Sequence, residues 1–233
     1  MPSEAAHYIG DELHLFQHAQ RWKAYWGAHV RPLIQGDVLE VGAGIGANTD
    51  ALWTSRVTSW HGLEPDAVLA RQARAATAAR PTCRVTEETT AALPVGSYDT
   101  VLYIDVLEHI EHDHEEVARA AALLRPGGHL IVLGPAHQSL FSPFDAAIGH
   151  FRRYDKASLR ACGVPGLHLA SLAYLDSLGA LVSFANRLLL RQAQPTLSQI
   201  LFWDRCVVPV SRVLDPLLGH RLGKSILAVW RKV

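Results

Sequence analysis

Apolar residues along the chain fall into short continuous runs separated by stretches with helical spacing. Five runs are typical of buried strands: "DVLEVG" (37–42), "SWHGLEPD" (59–66), "CRVTEET" (83–89), "YDTVLYID" (98–105) and "HLIVLGPA" (129–136). Between them the pattern predicts helices at "GANTDALWTS" (46–55), over 66–80 and at "HEEVARAAALLRPGG" (114–128), which stops at its glycines. Strands that alternate with helices and are apolar along their whole length predict an α/β fold with a doubly wound, mostly parallel sheet.

The two flanks of this alternation have a different pattern. Residues 12–34 carry apolar and aromatic positions at helical spacing, so residues 1–35 are predicted to be an N-terminal helical segment in front of a main domain at 36–233. Residues 137–155 contain no convincing element before a short helix that starts around Asp155. A connection of that length inside a compact domain is usually functional.

The composition bears on whether the protein binds nucleic acid or a membrane and on where in the cell it is located. The 22 basic residues balance the 22 acidic residues, which argues against a nucleic-acid partner. Three scattered cysteines without CxxC spacing indicate reduced thiols in a cytoplasmic protein, and the N-terminus does not resemble a secretory signal. No apolar stretch is long enough for a membrane span, which leaves open a peripheral contact with a membrane. The oligomeric state is not predicted.

Three glycines follow the first predicted strand. Gly42, Gly44 and Gly46 let the backbone approach a ligand closely, and their spacing satisfies the dinucleotide pattern G-x-G-x-x-G/A. Glu64 could then hold ribose hydroxyls, so the glycines alone leave the cofactor undecided. Glu40, two residues before the first glycine, favours a ligand with a cationic amino group over one with a pyrophosphate.

Four motifs together decide between the two cofactor classes. "EVGAGIG", "LEPD", "LPVGSYDTVLYIDVLEHI" and "LLRPGGHLIV", in this order over about residues 35–160, resemble the class I S-adenosylmethionine-dependent methyltransferases. The resemblance implies a Rossmann-like, seven-stranded sheet that ends in an antiparallel hairpin of "GLHLASLAYL" and "KSILAVWRK", with a helical cap inserted at about 176–222. The stretch "SPFDAAIGHFRRYDKASL" resembles a bacterial branch that methylates small molecules, which implies a small-molecule acceptor with an oxygen or nitrogen nucleophile, apolar or sugar-linked.

The same resemblance implies which residues hold S-adenosylmethionine. Glu64 would bind the ribose hydroxyls, Asp105 would pair with the amino group, and the turn at 88–89 would face the adenine, although the family's usual acid is missing there. The full set of implied cofactor-binding residues is Glu40, Gly42, Ala43, Gly44, Glu64, Pro65, Glu88, Thr89, Asp105 and Val106.

The acceptor side is predicted from "GHFRRYD". Histidine is the side chain best suited to proton transfer near neutral pH, so His150 is the candidate general base, with His109 as a second candidate catalytic residue. Arg152, Arg153 and Tyr154 are candidate substrate-binding residues, and the arginines have an equally good structural alternative as ion pairs with Asp145 or Asp155. No metal is expected, because the histidines of "HIEHDHEE" lack metal-ligand spacing.

Two other functions stay open for this glycine turn. An NAD-dependent oxidoreductase uses the same geometry, but Glu40 and the lack of a Tyr-x-x-x-Lys segment argue against it. A non-catalytic cofactor-binding protein would keep the glycines and would not need an ordered substrate loop.

Overall fold

A single seven-stranded sheet forms the centre of the molecule. The computed structural model describes residues 12–189 and 196–233. The strands are β1 (Gly36–Val41), β2 (Val57–Leu63), β3 (Cys83–Thr86), β4 (Tyr98–Ile104), β5 (Leu124–Pro135), β6 (Leu167–Leu175) and β7 (Ser225–Lys232). Their order in the sheet is β3-β2-β1-β4-β5-β7-β6. The first five strands are parallel, and β7 is antiparallel to both of its neighbours. The predicted doubly wound sheet with a terminal antiparallel hairpin is confirmed.

Helices cover both faces of the sheet. In chain order they are α1 (Glu12–Phe16), α2 (Gln20–Val30), α3 (Thr49–Leu52), α4 (Ala67–Ala76), α5 (Asp113–Leu123), α6 (Pro143–Ala147), α7 (Lys156–Ala161), α8 (Ser177–Leu189), α9 (Leu197–Phe202) and α10 (Val208–Leu217). The last three lie between β6 and β7, and a π-helical turn, Trp203–Val207, joins α9 to α10. No helix among the described residues is both long and apolar enough to cross a bilayer.

The central strands carry continuous apolar runs because both of their faces are buried. In β4, Val101 and Tyr103 belong to the core on one side of the sheet, whereas Leu102 and Ile104 belong to the core on the other side. Successive side chains of a strand point to opposite faces. Where both faces are buried, consecutive positions are therefore apolar. This burial is the physical origin of the uninterrupted run in the sequence.

Three local expectations differ from the structure. Helix α5 ends at Leu123, and the following residues 124–128 belong to β5, where the pairing with β4 shifts register at a bend around Gly127 (φ 82°). The expected helix at 46–55 is only the four residues of α3. The connection at 137–155 contains α6, whose capping box of Ser142 and Asp145 stabilises a helix too short to give a periodic pattern.

Candidate functional site

A large cavity lies beyond the carboxyl ends of β1, β4 and β5. Its volume is about 1130 Å³, more than the roughly 300–1,000 Å³ typical of a pocket for one small ligand. Strands β1 and β4 are adjacent, and the chain leaves them toward opposite edges of the sheet. This switch point is where open α/β sheets bind ligands. The walls come from the turn after β1, the loops after β4 and β5, helices α1, α2, α8 and α9, and the π-helical turn that follows α9.

The glycine turn forms the floor of the cavity on the β1 side. Gly42 and Gly44 both have positive φ, 69° and 54°, a backbone conformation that side chains with a Cβ rarely adopt. A Cβ on Gly42 would lie 2.5 Å from a methyl group of Val106, so this position is also closed sterically. Gly46 instead packs against Ala73 of α4. The turn therefore needs glycine for its own shape and for close packing.

Glu40 supports the turn from below and does not line the cavity. Its Oε2 accepts hydrogen bonds from Thr49 Oγ1 (2.9 Å) and Trp60 Nε1 (3.0 Å), whereas its Oε1 is buried and has no hydrogen-bond partner among the residues that the structure describes. Burial raises the pKa of Glu40 to about 7, although those two hydrogen bonds and the nearby ammonium of Lys23 lower it. This carboxyl is thus buried at an energetic cost.

Glu64 is hydrogen-bonded to the same turn. Its two oxygens accept from the backbone N–H of Gly44 (2.8 Å) and Asp66 (3.0 Å), and burial raises its pKa. A carboxylate has further acceptor capacity after two hydrogen bonds. Three other predicted cofactor-binding residues follow β2 and β3. They are exposed and do not line the cavity: Pro65, Glu88 and Thr89.

Asp105 provides the negative charge on the cavity floor. It follows β4 with a φ of 54°, and its side chain is open to the cavity. Desolvation by the surrounding protein raises the pKa of Asp105 to about 6, although the positive charges of His150 and Lys224 act to lower it. Among the described residues no basic side chain forms an ion pair with it within 4.0 Å. A carboxylate beside a glycine turn and without such a partner fits the cationic methionine end of S-adenosylmethionine.

His150 faces the cavity from the loop that follows α6. Its Nδ1 lies 3.0 Å from Oδ1 of Asp145, and Arg153 binds the same carboxylate through Nε and Nη2, both at 3.0 Å. Burial raises the pKa of Asp145, but hydrogen bonds from His150 and Ser142 and the charge of Arg153 outweigh it and hold that pKa well below its usual range. The ionised Asp145 accepts a hydrogen bond from Nδ1, which leaves the lone pair of the neutral ring on Nε2.

Two further residues complete the polar wall around His150. The ring of His109 contacts the ring of His150 edge to face, with centroids 4.5 Å apart, and burial lowers the pKa of His109 to about 4. Glu108 is fully buried, its Oε1 lies 3.8 Å from Nε2 of His150, and neither of its oxygens has a hydrogen-bond partner in the described part of the chain. Burial raises the pKa of Glu108 well above its usual range.

Candidate metal ligands occur twice among residues 12–189 and 196–233. Glu108, His109 and His150 bring three donor atoms within 4.8 Å of one another, and Asp113, His114 and Cys162 do the same outside the cavity. The first cluster includes His109, which the sequence pattern alone did not connect to His150.

Two of the candidate substrate residues are turned away from the cavity. Arg152 binds Asp113 (2.6 Å) and the carbonyl of Glu111 (2.6 Å). The hydroxyl of Tyr154 also donates to Asp113, at 2.8 Å, and its ring is buried in the core. Asp155 caps α7. Both arginines therefore form ion pairs, as the structural alternative predicted. Arg153 pairs with Asp145 as expected, whereas Arg152 pairs with Asp113 and not with Asp155.

Seven of the predicted site residues line the cavity: Gly42, Ala43, Gly44, Asp105, His109, His150 and Arg153. The other eight do not line it: Glu40, Glu64, Pro65, Glu88, Thr89, Val106, Arg152 and Tyr154. Sequence analysis missed Lys224, a cavity residue whose ammonium lies 4.9 Å over the ring of Trp203 and whose pKa burial lowers. No local motif marks it, because β7 brings it to the site from the far end of the sequence.

Comparison with known proteins supplies the activity. Residues 39–130 match the family model described as a methyltransferase domain, which covers β1 to the middle of β5. No curated protein sequence matches this chain. Solved structures with a similar fold include NodS, an N-methyltransferase from Bradyrhizobium japonicum WM9 in complex with S-adenosyl-L-homocysteine. It is 12% identical, the match covers 92% of this chain and 88% of that one, and the TM-score is 0.59.

Two more solved structures show how widely the fold is used. The YcgJ protein from Bacillus subtilis is 15% identical over 89% of this chain and 97% of its own, with a TM-score of 0.59. The [4+2]-cyclase SpnF is 18% identical over 93% and 81%, with a TM-score of 0.61. At these identities the likeness establishes the fold and leaves the chemistry to the family match and the site. The match of residues 39–130 to a methyltransferase domain, together with the fold and a cavity that fits the donor, indicates an enzyme that transfers a methyl group from S-adenosylmethionine.

Proposed function

We propose that this methyltransferase acts on a small molecule bound in the cavity and that His150 is its general base. The observation that carries the proposal is the hydrogen bond of 3.0 Å between His150 Nδ1 and Asp145. A buried carboxylate that fixes one ring nitrogen leaves the other as a base of defined orientation. The size of the cavity, about 1130 Å³, supports simultaneous binding of the donor and an acceptor.

Each residue of the cavity has its own part in the reaction. S-adenosylmethionine, when bound, supplies a methyl group on a positively charged sulfur, which is already reactive toward an oxygen or nitrogen nucleophile. Asp105 pairs with the cationic methionine end, and the backbone at Gly42–Gly44 lets that end approach the sheet. His150 takes the proton from the acceptor hydroxyl or amine at Nε2. The remaining contribution is alignment and exclusion of water, which can supply much of the barrier reduction.

Arg153 is a positioning residue in this proposal. Its guanidinium is committed to Asp145 through two hydrogen bonds, so it orients the carboxylate that orients His150. We assign Arg152 and Tyr154 to the stability of the loop, because both bind Asp113 away from the cavity. The second candidate base, His109, contacts the His150 ring and supports its orientation.

The adenosine end of the donor is assigned to the edge formed by β2 and β3. Glu64 already fixes the turn and still has acceptor capacity for ribose hydroxyls. Pro65, Glu88 and Thr89 lie at this edge and are proposed to contact the adenine, whereas Val106, which follows β4 and contacts Gly42, is proposed to face the methionine end. Three free thiols, Cys83, Cys162 and Cys206, support a cytoplasmic location.

Variants of His150 test the proposal directly. The acceptor is first identified by mass spectrometry of small molecules that copurify with the protein, and turnover is then followed as formation of S-adenosylhomocysteine. His150→Ala is expected to lower turnover by about 10²–10⁴-fold, the usual contribution of a positioned base, with unchanged affinity for S-adenosylhomocysteine. His168→Ala, a histidine exposed on β6, is the matched control and is expected to retain full turnover.

The outcomes separate base chemistry from positioning. His150→Asn keeps a hydrogen bond to Asp145 and cannot take up a proton, so its rate is expected to be as low as that of His150→Ala. If His150→Asn restores most of the rate, the ring only orients the acceptor or the loop, and the assignment of the base is wrong. A macromolecular acceptor found in the copurification experiment contradicts the small-molecule part.

A further inference from the structure

Helix α10 has an inverted distribution of polar and apolar residues. Two of its three polar side chains point inward: Ser211 and Asp215 are fully buried, and Asp215 accepts hydrogen bonds from the backbone N–H of Asp176 (2.7 Å) and Ser177 (3.0 Å) at the start of α8. Its outer face carries Val213 and Leu217, which are 64% and 78% exposed. Residues spaced by three or four positions lie on one face of a helix, so the solvent-facing stripe of α10 is apolar.

The exposed apolar area extends to the neighbouring helices. Nine of the thirteen exposed large apolar residues in the described chain lie between residues 177 and 222. We call these nine the apolar surface: Leu181, Val182, Phe184, Leu197, Phe202, Val210, Val213, Leu217 and Leu218. Single exposed apolar residues are ordinary, but such a concentration on one segment indicates an interaction surface.

The charged residues of this segment are mostly basic. Residues 177–222 contain five arginines, no lysine, no glutamate and only two aspartates. Both acids, Asp204 and Asp215, are buried and bonded internally. Arg205, Arg212 and Arg221 are exposed, and none of them forms an ion pair with the described acidic residues within 4.0 Å. The segment thus presents apolar and positively charged side chains to solvent and no negative ones from its described part.

From this combination we propose that helices α8–α10 dock on the surface of a membrane that contains anionic lipids. Apolar side chains beside unpaired arginines are the pattern with which a helix binds at an interface: the apolar groups enter the acyl boundary and the cations pair with anionic headgroups. A soluble protein partner would not require that every exposed charge on the surface have the same sign.

The apolar surface reaches the entrance of the cavity. Val182 and Phe202 are both exposed, at 47% and 63%, and both also line the cavity. A docked enzyme therefore presents the cavity entrance to the lipid. The proposal does not rest on the identity of the base or of the acceptor, because docking is measured without turnover.

Cosedimentation with lipid vesicles tests the docking surface. The full chain is incubated with vesicles of phosphatidylcholine alone or of an equal mixture of phosphatidylcholine and phosphatidylglycerol, at low and high salt. Binding to the mixed vesicles, weakened by salt and much weaker on phosphatidylcholine, is expected. The double variant Val213→Ser/Leu217→Ser should bind on the order of ten-fold more weakly, and Arg212→Gln about five-fold more weakly on the anionic vesicles only.

Matched controls carry the same substitutions elsewhere on the surface. Val95→Ser and Arg71→Gln replace exposed residues far along the chain from the apolar surface and are expected to bind like the unaltered protein. Thermal unfolding of every variant checks the fold, because substitutions at exposed positions should leave the unfolding midpoint nearly unchanged. Cys206, the only exposed one of the three cysteines, allows attachment of an environment-sensitive fluorophore as a second readout.

Three results would overturn the proposal. The first is no binding to either kind of vesicle. The second is binding that the variants on α10 and the controls reduce equally. The third is a dimer in sedimentation analysis that Val213→Ser/Leu217→Ser dissociates, without vesicle binding, because a second copy of the chain then covers the surface.

Discussion

Replacement of Glu40 by glutamine should make the protein gain stability relative to the unaltered chain as the pH rises from 5 to 8. Glutamine has nearly the same shape, and its carbonyl oxygen can accept the hydrogen bonds that Thr49 and Trp60 donate to Glu40. The substitution therefore removes the titration of one buried carboxyl and little else.

The magnitude follows from the pKa of Glu40. Burial raises it from 4.5 to about 7, so the folded protein binds a proton that the unfolded chain has released within that interval. Stability that is present below pH 4.5 is consequently lost as the pH rises through 7. The rise corresponds to about 3 kcal/mol, and the side chain is only 1% exposed, so screening by solvent reduces it little.

Urea denaturation at pH 5 and pH 8 measures this loss. The free energy of unfolding of Glu40→Gln minus that of the unaltered protein is determined at each pH. Any cost of placing an amide at the buried, unpartnered Oε1 position is the same at both pH values and cancels. The difference is expected to rise by about 2.5 kcal/mol from pH 5 to pH 8, because the unfolded carboxyl is already partly ionised at pH 5.

A variant at the other end of the same strand provides the control. Hydrogen bonds from Ser59 and Arg125 lower the pKa of Asp37 from 3.8, so the stability that Asp37 contributes is lost only as the pH falls below about 4, and the Asp37→Asn difference should be the same at pH 5 and pH 8. If the Glu40→Gln difference is the same at pH 5 and pH 8, Glu40 ionises in the fold at its ordinary pKa, and the cost of its burial has been overestimated.

Three further predictions concern the cavity. Gly44→Val places a β-branched side chain at a φ of 54° and should abolish binding of S-adenosylhomocysteine in calorimetry; retained binding would remove this turn from the donor site. Asp105→Asn should weaken that binding by about ten- to hundred-fold at pH 8. Affinity of the unaltered protein should fall as the pH drops through about 6, where Asp105 is protonated, and a pH-independent affinity would contradict the pairing. Turnover should resist a chelator, because the raised pKa of Glu108 keeps a carboxyl protonated where a metal ligand must be ionised; loss of activity restored by Zn²⁺ would instead make Glu108, His109 and His150 a metal site.

Sequence reasoning succeeded where local pattern and burial agree. The apolar runs predict the sheet because a strand buried on both faces, such as β4, is apolar at consecutive positions. The glycine turn is predictable for a similar reason, since positive φ at Gly42 and Gly44 leaves few other residue types. Contacts in the site were harder to predict where residues that are neighbours in space are distant in the sequence. Nothing near Lys224 indicates that it reaches the cavity, and the pairing of Arg153 with Asp145 was one of two equally supported alternatives.

The position of β7 has a consequence for how this chain reaches its final form. β7 lies between β5 and β6, and it hydrogen-bonds to both, although residues 225–232 come after every other element in the sequence. While the preceding part of the chain is being synthesised, β5 has an unpaired edge of apolar residues, and β6 has no strand to join. Contacts between such distant segments form slowly. The half-assembled sheet is therefore the state in which this protein is most exposed to aggregation, and a substitution that weakens β7 should reduce the yield of folded protein before it changes catalysis.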